Sequence, residues 1–376
     1  MARALSLRSS GDVLWWSARI APAVFVALLL RGASVSAQTV TTEADVTVGH
    51  STQDVDAAAT QVRAYGELRG WRYYGDVTWA ARRGEDSDAF GAAYPYEPEL
   101  KLMEAFVERT DVHGRYLLGT RVGRYRTPFG LYGRSDHGYT GFVRAPLVRY
   151  SDYWTISNNY LETGASVVAG LTWLTVETSL GVATDADEFA RPHRLDGVVR
   201  VQSAGATWML GASHLRTHPS EEWRFAHGST MFSGVDGRWM RGGVMLRGEW
   251  LTGRPFDEGR TRGGYLDVLV HRPAMGPVTA VTRVERLDYL AGPFSRYPRR
   301  YSSGVKVRAA RWLVAQANLV HQPMDRTGVD GHTSLDVALT FTEEALEMIA
   351  KKAIERFASL ARGGDAFEAY VAAQDF

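Results

Sequence analysis

Between residues 38 and 341 the chain is a succession of strand-length segments in which apolar and polar residues alternate with period two, and no stretch holds a convincing period of 3.6. In Gln61 to Leu68, Val62, Ala64, Gly66 and Leu68 take one face while Gln61, Arg63, Tyr65 and Glu67 take the other. Trp71, Tyr73, Val77 and Trp79 oppose Arg72, Asp76, Thr78 and Arg82 in the same way. Further along, Val244, Leu246 and Trp250 oppose Arg247 and Glu249, and Val305, Val307 and Ala309 oppose Lys306 and Arg308. Leu335, Val337, Leu339 and Phe341 then oppose Asp336, Ala338 and Thr340. A period of two admits two architectures: an antiparallel sheet wet on one side, as in a secreted sandwich, or a barrel with lipid outside and water inside.

The connections separate the two. Long ones fall at 51–59, 81–100, 127–153, 184–194, 216–228, 253–261, 291–300 and 322–332, and short ones at 70–71, 112–115, 170–172, 203–206, 237–241, 273–277 and 310–312. Strict alternation of long and short joins 16 strands with both chain ends on one side, the pattern of an outer-membrane barrel with short periplasmic turns and long external loops. The expected fold is therefore all-β, a 16-stranded antiparallel transmembrane β-barrel. Its last strand is placed at 333–341, ending on Phe341. Aromatic residues at segment ends, among them Trp71, Tyr73, Tyr125, Phe129, Tyr153 and Tyr301, suit the two membrane interfaces.

The flanks read differently. Arg3, Arg8 and Arg19 precede the apolar run Ile20 to Leu30, and Val35-Ser36-Ala37 offers small residues for cleavage, so residues 1–37 are expected to be a secretory signal peptide. The run is too short to span a bilayer, which takes about 20 residues. After the barrel, residues 342–376 are expected to form a periplasmic tail. Thr342, Glu343 and Glu344 suit a helix start, Leu346, Ala350, Ala353, Phe357 and Leu360 make one apolar stripe, and Gly363-Gly364 ends it, giving a C-terminal amphipathic helix.

Composition narrows function. With no cysteine there is no disulfide framework, thiolate metal site or cysteine nucleophile. Metalloprotease, serine-hydrolase, Walker and dinucleotide motifs are missing too, and Ser213 and His214, as neighbours on a strand, point to opposite faces and make no dyad. No enzyme, cofactor or metal is expected, and no nucleic-acid partner. Lysine occurs only at 101, 306, 351 and 352, so arginine supplies nearly all of the 43 basic residues. That bias reflects either genomic base composition or a use for the planar fork, which suits carboxylates and phosphates. The position of each arginine decides between them.

Arginine facing lipid at the midplane costs about 2–4 kcal/mol, so a barrel must turn its charged phase inward. The expected lumen ladder is Arg63, Arg69, Arg72, Arg200, Arg247, Arg283, Lys306 and Arg308, interleaved with Glu67, Asp76, Glu104, Glu108, Glu249 and Glu285. The ladder serves either to brace the wall or to select a solute. The barrel region is close to neutral overall, so no global field selects anions.

The run Gly123-Arg124-Tyr125-Arg126-Thr127-Pro128-Phe129-Gly130 and the loop after it resemble a strand and loop of the phosphate-selective porin-like superfamily, and the segment from Arg283 through the hairpin to His321 adds to the likeness. The resemblance implies an outer-membrane porin of a Gram-negative-type bacterium, an assembly into homotrimers among outer-membrane lipid, and an external loop after the fifth strand that folds inward to narrow the channel. The expected constriction is then Arg121, Arg124, Arg126, Arg134, Asp136, His137, Arg144, Arg149 and Asp152. Only Lys101 and Lys306 are barrel lysines, a departure from phosphate-specific members. The expected function is passive diffusion of small hydrophilic solutes with a preference for anions such as phosphate. The alternative is a non-conducting scaffold or adhesion barrel blocked by its loops or tail.

Overall fold

A computed structural model describes residues 40–84, 99–131, 141–149, 161–184, 195–217, 230–255, 259–327 and 331–344. Sixteen strands run in sequence: β1 (Thr41–Ser51), β2 (Val55–Leu68), β3 (Trp71–Arg83), β4 (Glu99–His113), β5 (Tyr116–Arg126), β6 (Leu161–Leu171), β7 (Leu174–Thr184) and β8 (Asp196–Ala204), then β9 (Trp208–Thr217), β10 (Thr230–Arg241), β11 (Val244–Arg254), β12 (Arg260–Val270), β13 (Val278–Leu290), β14 (Arg299–Ala310), β15 (Leu313–Gln322) and β16 (His332–Thr342). Each pairs with the next, and β16 returns to β1 from Asp45↔Thr342 to Ser51↔Asp336, closing the barrel with every pair antiparallel. Closure matters because an unpaired strand edge in hydrocarbon leaves a row of backbone groups without partners.

The two ends differ as the connections foretold. Arg69-Gly70, Gly114-Arg115, Thr172-Trp173, Gly242-Gly243 and Arg311-Trp312 are tight turns at one end. Arg69, expected on the lumen ladder, instead occupies its turn with a φ of 52°, beside Gly70 at 80°. At the other end the first connection is shorter than expected: only Thr52 to Asp54 lie outside strands, and Val55 to Ala59 belong to β2. The final strand extends one residue beyond the expected span at each end. Beyond it Glu343 and Glu344 are helical. The rest of the expected tail and the whole of the expected signal peptide lie outside the described residues.

The phase read from the sequence holds around the wall. Leu100, Val122, Val167, Leu180, Val235, Trp250, Leu266, Val284, Tyr301 and Leu319 are large, apolar or aromatic, and exposed on the outer face, where only lipid would make them welcome. At the short-turn end that face carries Trp71, Tyr116, Trp173, Trp208 and Trp239, all exposed, with Trp312 stacked on Phe341 at 6.4 Å. This is an aromatic girdle at one interface.

Candidate functional site

After β5 the chain turns into the barrel, and of the stretch before β6 the described residues 127–131 and 141–149 lie against its inner wall. Phe129 lies against Gly234 of β10, where a Cβ would meet its ring at 3.0 Å. The Gly130 amide donates to Ser213 of β9 at 3.4 Å, and the Leu131 amide to the carboxylate of Glu249 on β11. The described stretch Gly141–Arg149 then runs along the opposite wall. The Val143 amide donates to Asn318 of β15 at 2.7 Å, and Asn318 returns a bond to the Gly141 carbonyl at 3.1 Å. The Leu147 amide donates to Glu285 of β13 at 2.6 Å, just where the chain enters the short 3-10 turn Leu147–Arg149.

Two arginines fasten this loop. Arg144 donates to Asp336 of β16 at 2.5 and 3.1 Å, to Ser334 at 2.8 Å and to Gln53 at 2.7 Å. Arg149 donates to Glu249 at 3.0 and 2.7 Å and to the Phe129 carbonyl at 2.8 Å, tying one limb of the loop to the other. The wall answers with arginines of its own: Arg283, held to Asp267 at 2.6 and 2.9 Å, donates to the Arg144 carbonyl at 2.9 Å, and Arg300, held to Glu285, donates to the Ala145 carbonyl. Asp267 also takes Arg247 at 3.0 Å. Further round the wall, Arg200 and Asp236 pair bidentately at 2.7 Å.

These pairs are dry. Side-chain exposure is 2% and 0% for Arg144–Asp336, 3% and 3% for Arg149–Glu249, and 0% and 1% for Arg300–Glu285. Apolar side chains seal them. Phe129, Ala145, Leu147 and Val148 pack on the inward residues Val198, Leu215, Phe232, Leu251, Tyr265 and Leu287 of β8 to β13, while Val143 packs on Val55, Ala57, Ala59, Ala80 and Ala338. Each large apolar side chain so buried contributes about 1.5–3 kcal/mol. Gly130 is needed for the fit, since its φ is 71° and a Cβ there would stand 2.2 Å from the Arg149 guanidinium.

On β2, β3 and β5 some inward arginines are wetter, although Asp76, Arg82 and Glu162 on the same side of the barrel are buried. Arg121 is 31% exposed, bonds Glu108 at 3.0 Å, reaches towards Glu177 at 3.9 Å and stacks on Phe106 and Tyr125. Arg72, 57% exposed, takes the other oxygen of Glu108 at 3.1 Å, and Arg63 bonds Asp45 at 3.1 Å. Glu104 accepts from the Arg126 amide at 3.0 Å. Near the short turns of the opposite wall Arg308 is exposed and Lys306 half-buried.

The residues expected at the constriction are thus divided. Arg121 faces the lumen; Arg144 and Arg149 lie within it but are enclosed and paired. Arg124 shares the outer face with Val122, and Arg126 bonds the Leu131 carbonyl at 3.1 Å. Arg134, Asp136, His137 and Asp152 lie outside the described residues. Of the ladder, Arg63, Arg72, Arg200, Arg247, Arg283, Lys306 and Arg308 are on the inward phase, with Arg200, Arg247 and Arg283 buried in pairs. Sequence reasoning missed Arg300, Asp267 and the apolar seal. The signal was there: Leu251, Phe232 and Leu287 stand in phase with the charged residues Glu249, Asp236 and Glu285, where a water-filled lumen has no use for them. Ser213 is buried against Arg200 at 2.9 Å, whereas His214 points outward to Ser233.

No known family model matches the chain, and no curated protein matches it either. Solved structures do. The barrel is similar to OmpF of Salmonella typhi in complex with daunomycin, at TM-score 0.58 and 8% identity over 81% of this chain and 98% of that one. It is similar to OprB of Pseudomonas putida, at 0.56 and 9% identity over 81% and 93%. A third likeness is to the loop L8 deletion mutant of OmpT, an outer membrane protein of Vibrio cholerae, at 0.53 and 11% identity over 82% and 100%. Likeness at these identities shows the fold, the porin barrel, and the fold alone.

Proposed function

We propose that the protein is a passive channel of the bacterial outer membrane for small hydrophilic solutes. The observation that carries this reading is the inward loop: a barrel of 16 strands encloses more space than its own side chains fill, and here the chain spends nine buried residues, Gly141–Arg149, lining one side of it while Arg63, Arg72 and Arg121 of β2, β3 and β5 stay partly exposed. The solute path follows that wetted wall. The lipid-facing belt, the aromatic girdle and the fold's likeness to outer-membrane proteins support the location. A passive channel needs no catalytic residue and no cofactor. Homotrimeric assembly is part of the proposal, supported by the resemblance of the Gly123–Gly130 run.

Charge preference is weak on this reading. The arginines expected to attract anions such as phosphate, Arg144 and Arg149, are neutralised by Asp336 and Glu249 and shut away from solute. The accessible arginines of the wetted wall, Arg63, Arg72 and Arg121, each face a carboxylate. What anion preference remains rests on these three and on the exposed Arg308 near the short-turn mouth. The test is planar-bilayer recording of the refolded protein. Discrete openings with a reversal potential near zero in a salt gradient are expected; no openings at any voltage would favour the non-conducting scaffold.

A further inference from the structure

The outer wall carries charge of one sign at one place. At the long-loop end of β12 to β14, on the face that points away from the lumen, stand Arg262, Arg286 and Arg299. Arg286 and Arg299 are directly opposite each other across the β13–β14 ladder, a like-charge pair that is unfavourable on a sheet surface unless an anion sits between or above it. Arg262 and Arg286 share one carboxylate, Asp288, at 3.1 and 2.8 Å, and remain 51% and 46% exposed. Among the described residues no acid reaches Arg299. Arg254 and Arg260 extend the patch along the rim on the same face, and both are exposed. Asp288 is the one carboxylate this surface offers among the described residues.

The height of the patch identifies what it meets. On each strand the lipid-facing side chain just below it is Leu266, Val284 or Tyr301, all half exposed. The outer-face position of Val284 is two residues from Arg286 and that of Tyr301 two from Arg299, a step of about 7 Å along a strand. The guanidinium groups therefore stand at the boundary between hydrocarbon and headgroups, on the side of the long loops. Lysine would give a point charge there; arginine gives a planar fork that grips two oxygens of one phosphate.

We propose that this patch binds the phosphomonoester headgroup of an anionic membrane lipid, with Arg262, Arg286 and Arg299 as its principal ligands and Asp288 holding the first two in register. The proposal rests on the barrel lying in a membrane with its long loops outward, but not on its conducting. It gives part of the arginine bias a use: lipid-phosphate recognition on the outer face, as distinct from the ion-paired arginines within.

The test uses the folded full-length barrel in detergent, titrated with dioleoyl phosphatidic acid, with phosphatidylcholine of the same chains, and with inorganic phosphate, and read by native mass spectrometry and by the shift in thermal unfolding. Phosphatidic acid is expected to be retained at physiological salt and phosphatidylcholine not. The variant R262Q/R286Q/R299Q should weaken retention on the order of a hundredfold, since each arginine near an anionic headgroup contributes roughly fivefold. D288N, which keeps all three arginines but loosens the two that Asp288 holds, should weaken retention less than the triple variant does, and a loss as large as the triple variant's would overturn the assignment of the arginines as the ligands; single-channel conductance should be the same in every variant because the patch is outside the lumen. Equal retention of both lipids, wild-type retention by the triple variant, or displacement of phosphatidic acid by inorganic phosphate at equal concentration would each overturn the proposal, the last by showing a free-anion site. Lipid retention by a barrel that never opens would sink the channel reading and leave this one standing.

Discussion

Replacing Arg144 with alanine tests how the loop is held. The substitution leaves Asp336 with its side chain fully enclosed and only Ser51, at 2.7 Å, and its strand neighbours to face it. Removing one member of a buried pair costs about 3–5 kcal/mol, because the remaining charge stays desolvated. The barrel itself has little part in that cost, since its strands are held by a closed backbone ladder. The cheaper response is for the stretch around Val143 to lift off β15 and β16, letting water reach Asp336. At about 1.4 kcal/mol per factor of ten, that cost shifts the balance towards a detached loop by about two to three and a half orders of magnitude. Single-channel recording of Arg144→Ala should therefore show a larger mean conductance with rapid flicker, while the unboiled protein still runs as a folded barrel in SDS. Adding Asp336→Ala removes the stranded charge and should bring conductance and noise at least halfway back. If Arg144→Ala and Asp336→Ala each leave the trace unchanged, or if the two effects simply add, the pair does not fasten the loop and the reasoning fails.

Gly130→Ala, which drives a Cβ into the Arg149–Glu249 pair, should give the same flicker by releasing the other limb of the loop, and Gly70→Ala, also at positive φ but with nothing within 4 Å, should not. Arg121→Glu, placed between Glu108 and Glu177 on the wetted wall, should move the reversal potential towards cations, whereas Arg200→Gln, enclosed in its own dry pair with Asp236, should leave it in place; equal shifts would mean that the path does not follow β4 to β7. Arg216→Glu with Arg260→Glu, both on the outer face, should leave selectivity as it is. Unboiled and boiled samples should migrate differently in SDS, and identical migration would refute a membrane barrel closed on itself.

How much of this was legible in the sequence follows from the range of the forces involved. The period of two is local, so strands and their phase could be read one segment at a time, and β16 was placed to within a residue at each end. Arg124 was legible and misassigned: counting by twos from Arg121 reaches Gly123 and Tyr125, so Arg124 had to point the other way. Val55, Ala57 and Ala59 looked like loop because they are small and weakly patterned. They are small because Val143 packs on them, a contact made across the barrel. The same holds for Arg300, which reaches the Ala145 carbonyl of the inward loop across the barrel. Nothing in the spacing of loop residues says whether an arginine will meet solute or a carboxylate.

The place where Arg144 docks has a bearing on assembly. Asp336 is paired in register with Ser51, so it lies on the seam where the last strand meets the first, and Arg144 reaches Gln53 just past the end of β1 as well as Asp336 and Ser334 on β16. Pairing residues 285 positions apart is slow, because the loop entropy is spent before any contact offsets it. Until β16 has zipped onto β1 the Arg144 docking site is incomplete, and only the Arg149 limb, held on β8 to β13, has its partners in place. The full constriction is therefore a late event in folding, and a chain whose seam is still open is also a chain whose loop is only half fastened.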